Sequence, residues 1–97
     1  MKVVINRRYG GFGLSHEAAL RYFEIKGINK ALSEQTVYLR EIARHDPALV
    51  QVVEEMGSKA DGNHAKLKVV EIPDDVEYII EEYDGLEHIA EVHRTWD

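Results

Sequence analysis

The hydrophobic positions of this chain change their period along its length, from short apolar runs to helical spacing and back. Val3, Val4 and Ile5 form a continuous apolar run, the pattern of a short buried strand. From Ser15 to Lys26, Ala19, Tyr22 and Phe23 fall on one helical face. Ser15 is a good N-cap, Glu17 suits the first turn, and Gly27 ends the helix. Between Ile28 and Ala43 the signal is weak: Val37, Leu39 and Ile42 fit a short strand or an irregular turn of helix about equally, and a short strand is expected. The second helix is better specified. Asp46 can cap it, Pro47 suits its first position, and Leu49, Val52, Val53 and Met56 repeat at helical spacing before Gly57 stops it.

After a loop from Ser58 to His64, Leu67, Val69, Val70 and Ile72 read as a strand that Pro73 terminates. The last third is ambiguous, because Val76, Ile79, Ile80, Tyr83, Leu86 and Ala90 also make a tolerable helical stripe. Asp84-Gly85 between two stretches rich in valine, isoleucine and tyrosine favours a two-residue hairpin. Its pairing sets Ile80 across from Ile89 and Glu81 across from His88, both favourable. Glu82 opposite Glu87 is a like-charge conflict that solvent exposure would excuse. The expected fold is therefore a single α+β domain over residues 1–97, with two helices packed on a small, mainly antiparallel sheet and a C-terminal β-hairpin.

At 97 residues, 44% of them hydrophobic and 31% charged, the composition is that of an ordinary globular domain with a modest core. A small core, with Tyr, Trp and Ile near the C-terminal strands, points to a homo-oligomer. Without cysteine there are no disulfides and no thiolate metal sites. No apolar run approaches the ~18 residues of a membrane span, and no secretory signal pattern opens the chain, so a cytosolic protein with no membrane partner is expected.

The net charge of -6 is unevenly distributed. Met1 to Arg44 carries eight Lys/Arg against four Asp/Glu, whereas His45 to Asp97 carries four against fourteen. No lysine or arginine lies between Val69 and His93. Such an acidic face argues against DNA duplex binding, since phosphate needs the opposite sign. It reads either as a solvated, solubilising face or as a surface for a basic protein partner.

The opening KVVINRRYGGFGLS carries the candidate chemistry. Arg7 and Arg8 lead into a glycine loop, Gly10, Gly11 and Gly13, which meets the helix start at Ser15. Glycines let a backbone approach a bound group closely, and free N–H groups at a helix start favour an anion. Arg44 stands just before the second helix start, so the two starts are candidates for one anionic site. Arginines would grip phosphate, and Tyr9 and Phe12 could stack on a base. The spacing is neither G-x-G-x-x-G nor a P-loop. The alternative is a strand-to-helix turn that needs glycine for its backbone angles, with Phe12 tucked into the core.

Enzyme chemistry finds little support. Histidines 16, 45, 64, 88 and 93 show no metal-ligand spacing, no cofactor motif is present, and Ser15, Ser33 and Ser58 lack a nucleophile-elbow context. His64, in a polar loop, is the best general-base candidate by exposure and is more simply a surface histidine. At the C-terminus, Trp96 reads as a packing anchor or subunit contact. Arg94 either pairs with its acidic neighbours or faces the glycine loop.

Three stretches, KVVINRRYGGFGLS, RHDPALVQVVEEMG and KLKVVEIPDDVEYIIEEYDGLEHIAEVHRTW, cover most of the chain and resemble small proteins encoded by bacteriophages and prophages. Within that group the chain is similar to the phage sponge proteins that counter the Thoeris defence system. The resemblance implies sequestration of a cyclic ADP-ribose-type signal without cleavage, in the host cytoplasm. It also implies a symmetric oligomer with pockets at subunit boundaries to which Arg44 and Arg94 contribute.

Overall fold

The computed structural model describes residues 1–28 and 39–92, and among these its regular elements include two antiparallel strand pairs and two helices. In chain order these are β1 (Lys2–Asn6), α1 (His16–Lys26), α2 (Pro47–Met56), β2 (Leu67–Glu71), β3 (Tyr78–Tyr83) and β4 (Leu86–Glu91). A 3-10 turn, Gly57–Ala60, follows α2 directly. The α+β expectation holds, with the strands divided between two small sheets, β1–β2 and β3–β4.

Local chemistry sets the helix ends. Ser15 Oγ accepts the Ala18 N–H at 3.1 Å, and Gly27 takes a left-handed conformation that returns its N–H to α1. Asp46 accepts the Ala48 N–H at 2.8 Å ahead of Pro47. Each cap satisfies a donor that the helix itself cannot. The stripes Ala18, Ala19, Tyr22, Phe23 and Leu49, Val52, Val53 then bury together against Val4 of β1. Tyr22 and Phe23 meet edge to face, their centroids 5.6 Å apart.

The helices run antiparallel. Lys26, at the end of α1, pairs with Asp46 at the start of α2 at 3.2 Å, and Arg21 pairs with Glu55 near the end of α2 at 3.1 Å. The start of α1 sits beside the 3-10 turn instead, where Ser15 N–H donates to the Ala60 carbonyl at 2.9 Å and Ser15 Oγ to the Lys59 carbonyl at 2.6 Å. The two helix starts therefore lie at opposite ends of the helix pair, about 16 Å apart for an eleven-residue helix. The two helix N-termini therefore do not converge on one anion, although Phe12, Gly13 and Arg44 from the segments before them line one groove. Two amphipathic helices joined by a return connection bury their stripes most fully when antiparallel, which separates their N-termini.

β1 is buried along Val3, Val4, Ile5 and Asn6 and pairs with β2 in the register Val4↔Val69. The hairpin forms as expected, with Ile80↔Ile89, Glu81↔His88 and Glu82↔Glu87 in register. Asp84 (φ 52°) and Gly85 (φ 89°) supply the positive angles that its turn demands. The short strand expected around Val37, Leu39 and Ile42 falls in part outside the described residues. Leu39 and Arg40, which are described, have helical backbone rather than extended.

Candidate functional site

The last residue of β1 organises the candidate site. Asn6 is fully buried, and its carboxamide donates to the carbonyls of Arg8 at 2.8 Å and Gly85 at 2.7 Å while accepting the Lys66 N–H at 2.8 Å. Only a primary amide offers two donors and an acceptor in that fork. Asn6 thereby ties the glycine loop, the β2 approach and the hairpin turn to one point. Its backbone N–H donates to Glu87 Oε1 at 2.8 Å.

Glu87 is 5% exposed. Arg44 meets its carboxylate with two bonds, Nη1 to Oε1 at 2.6 Å and Nη2 to Oε2 at 2.9 Å. Arg7 Nη1 donates to the Glu87 carbonyl at 2.6 Å. The Arg44 carbonyl accepts the Val4 N–H at 2.8 Å, on the edge of β1 that faces away from β2. The backbone of Arg44 and the carboxylate of Glu87 therefore cover the free edge of β1, a location where unpaired backbone groups invite mispairing. The like-charge conflict between Glu82 and Glu87 is relieved on one side by this arrangement and on the other by solvent, to which Glu82 is exposed. Glu87 turns inward to Arg44, and Glu82 Oε1 accepts the Gly85 N–H at 2.8 Å.

The glycine loop is clamped on both sides. Gly10 N–H donates to the Asp84 carbonyl at 2.8 Å, and Gly62 N–H to the Gly13 carbonyl at 2.9 Å. A methyl group on Gly85 would fall 2.1 Å from the Gly11 nitrogen, and one on Gly10 (φ 120°) would fall 2.7 Å from His64 Cβ. These glycines permit close approach of chain to chain.

Beside the clamp lies a groove of about 400 Å³ lined by Phe12, Gly13, Leu14, Leu39, Arg40 and Arg44. Phe12 is partly buried against the core, and the Arg44 guanidinium carbon stacks 3.6 Å from its ring centroid. Glu87 neutralises Arg44, leaving its Nε without a hydrogen bond to a described residue. Arg40 is exposed, and its guanidinium meets no acceptor among the described residues. The groove thus combines an aromatic ring, apolar walls and a cation, Arg40, that no described residue compensates.

Of the sequence-predicted residues, Phe12, Gly13 and Arg44 line this groove. Arg7 reaches the far side of Glu87, and Gly10 and Gly11 face the hairpin turn. Arg8 and Tyr9 are exposed, Tyr9 at 59%. Ser15 opens on a different hollow, with His16, Glu17, Ser58, Lys59 and Asp61. Arg94 and Trp96 lie outside the described residues. Arg40, Asn6 and Glu87 escaped the sequence reading. Arg40 stands four residues before Arg44, a spacing that the strand assignment concealed, and the Glu82–Glu87 conflict was itself the signal that one of the two needed a cation.

At the start of α2, burial opposes ionisation of Asp46, but hydrogen bonds from the Tyr22 hydroxyl, the Ala48 N–H and Lys26 outweigh it. Its carboxyl is held below the ordinary value. No family, curated protein or solved structure matches the chain.

Proposed function

We propose that this protein is a non-enzymatic binder of a small anionic nucleotide, which it holds in the groove of Phe12, Arg40 and Arg44 and releases unchanged. The observation that carries this reading is Arg40, a guanidinium that meets no acceptor among the described residues and lines a groove with an aromatic ring and an apolar wall. Arginine grips phosphate oxygens in a planar fork, and a ring held rigidly by a stacked cation offers a base or ribose an ordered contact. Glu87 does not cancel this attraction, because its charge is already spent on Arg44. The resemblance to phage sponge proteins makes a cyclic ADP-ribose-type immune signal the ligand of choice. The biological role is then anti-defence by sequestration in the infected host, with a homo-oligomer as the working form.

Calorimetry with cyclic ADP-ribose isomers tests the reading. Wild type binds, Arg40→Ala loses on the order of a hundredfold in affinity with its unfolding transition unmoved, and Arg40→Lys recovers little, as expected for a charge-assisted hydrogen bond worth roughly 2–3 kcal/mol. Chromatography of the ligand after denaturing the complex returns it intact. Absence of binding to wild type, or equal binding to Arg40→Ala, removes the groove as the nucleotide site.

A further inference from the structure

The Val92 N–H donates to the Glu77 carbonyl at 2.9 Å, and this bond sets the phase of the β3–β4 ladder. Alternation along an antiparallel pair turns the backbone groups of Ile79, Glu81 and Tyr83 toward β4 and those of Tyr78, Ile80 and Glu82 outward. These outward N–H and C=O groups meet no partner among the described residues. Among the described residues β3 is therefore an open edge of six residues.

Edge strands are ordinarily guarded by charged side chains, lysine above all, by proline or by a bulge. β3 has no lysine, proline or bulge, and its guards are the carboxylates of Glu81 and Glu82. On one of its faces Ile79 is 49% and Tyr83 75% exposed, with Glu81 between them, and Glu77, Glu82 and Glu91 are exposed nearby. The charge pattern selects the strand that would pair with this edge. A second copy of this chain would bring the Glu81 and Glu82 carboxylates of both molecules side by side, whereas an extended segment carrying cations meets them favourably.

We propose that the outer edge of β3 accepts an extended lysine- or arginine-bearing polypeptide segment as an added strand. Tyr78, Ile80 and Glu82 supply the backbone hydrogen bonds, and Ile79 and Tyr83 receive apolar side chains of the incoming strand. Glu77, Glu81 and Glu82 select for its cations. The partner class is a basic protein with an exposed strand or an unstructured basic tail. This surface acts independently of the Arg40 groove.

The test is amide exchange and chemical-shift mapping of the full chain, labelled with nitrogen-15, against a short peptide of alternating lysine and valine. Lysine–glycine and glutamate–valine peptides of equal length serve as controls. Saturable binding of the lysine–valine peptide alone is expected, with slowed exchange at the amides of Tyr78, Ile80 and Glu82. Glu77→Lys/Glu81→Lys is expected to weaken it about tenfold or more, and Ile80→Pro to abolish it, since proline there removes an outward N–H and leaves the β4 ladder intact. The proposal is overturned if protection falls on other amides, or if the lysine–glycine peptide binds equally well. It is also overturned if the peptide does not bind, or if the chain covers β3 with a second copy of itself. Protection is read on the wild type, so the outcome does not depend on Ile80→Pro folding.

Discussion

Arg44 and Glu87, 43 residues apart in sequence, form a bidentate ion pair at 2.6 and 2.9 Å that fastens the last strand to the start of the second helix. The Glu87 side chain is 7% exposed and that of Arg44 22%. Removing either partner leaves a desolvated charge behind, and removing Glu87 also orphans the Asn6 N–H. Glu87→Ala is expected to cost about 3 kcal/mol in urea unfolding, towards the lower end of the range for broken buried pairs because Arg44 retains some contact with water. The Arg44→Ala/Glu87→Ala double variant loses less than the sum of the single changes, as coupling requires. Strict additivity would show that the pair does not hold the hairpin in place.

Asn6 offers a sharper test of the junction. Asn6→Asp replaces a donor with an acceptor facing the carbonyls of Arg8 and Gly85. Thermal unfolding is expected to show a loss of about 3 kcal/mol or more at neutral pH, since two buried acceptors lose their donor and a carboxylate is left facing them. Asn6→Asp recovers in part at acid pH, where the protonated carboxyl supplies one donor.

Gly85→Ala and Gly13→Ala separate close packing from open loop. The new methyl at position 85 would sit 2.1 Å from the Gly11 nitrogen on a residue with φ 89°, so the turn cannot seat on the glycine loop. A methyl at position 13 meets nothing within 4 Å. Denaturant curves should place Gly85→Ala several kcal/mol below wild type and Gly13→Ala within about 0.5 kcal/mol of it. Hydrogen exchange at Gly10 N–H, which is bonded to Asp84, is expected to rise in the first variant only.

Asp46 predicts an acid limb of stability. Its carboxyl is depressed below the ordinary value in the folded chain, where Tyr22, Ala48 and Lys26 donate to it. A depressed folded value means that the folded state binds fewer protons than the unfolded state. The stabilisation is therefore complete above the unfolded value, near pH 4, and is lost as pH falls through the folded value. Asp46→Asn is expected to flatten that limb of a pH series of melting temperatures. Tyr22→Phe flattens it less, because two donors remain. An unchanged acid slope in Asp46→Asn would assign the limb to other carboxylates.

Much of this protein was determined by its sequence alone, and those parts share a short range. Ser15 and Asp46 cap helices through the N–H of residues two or three positions on. Asp84-Gly85 enforces a turn whose angles other residues resist, and that turn dictates the whole β3–β4 register. Such interactions are set by residues within a few positions of one another, so spacing and residue type suffice to find them. Tertiary structure decided what those elements do to one another. The antiparallel helix pair moved the two N-termini apart, the turn at Gly85 closed onto the glycine loop, and Glu87 came to face Arg44 rather than water. Each of these depends on which surfaces dock across long loops. Docking is driven by burial of apolar stripes, which carries no directional label in the sequence, so the charges and glycines caught between the stripes acquired roles that their neighbours in the chain could not foretell.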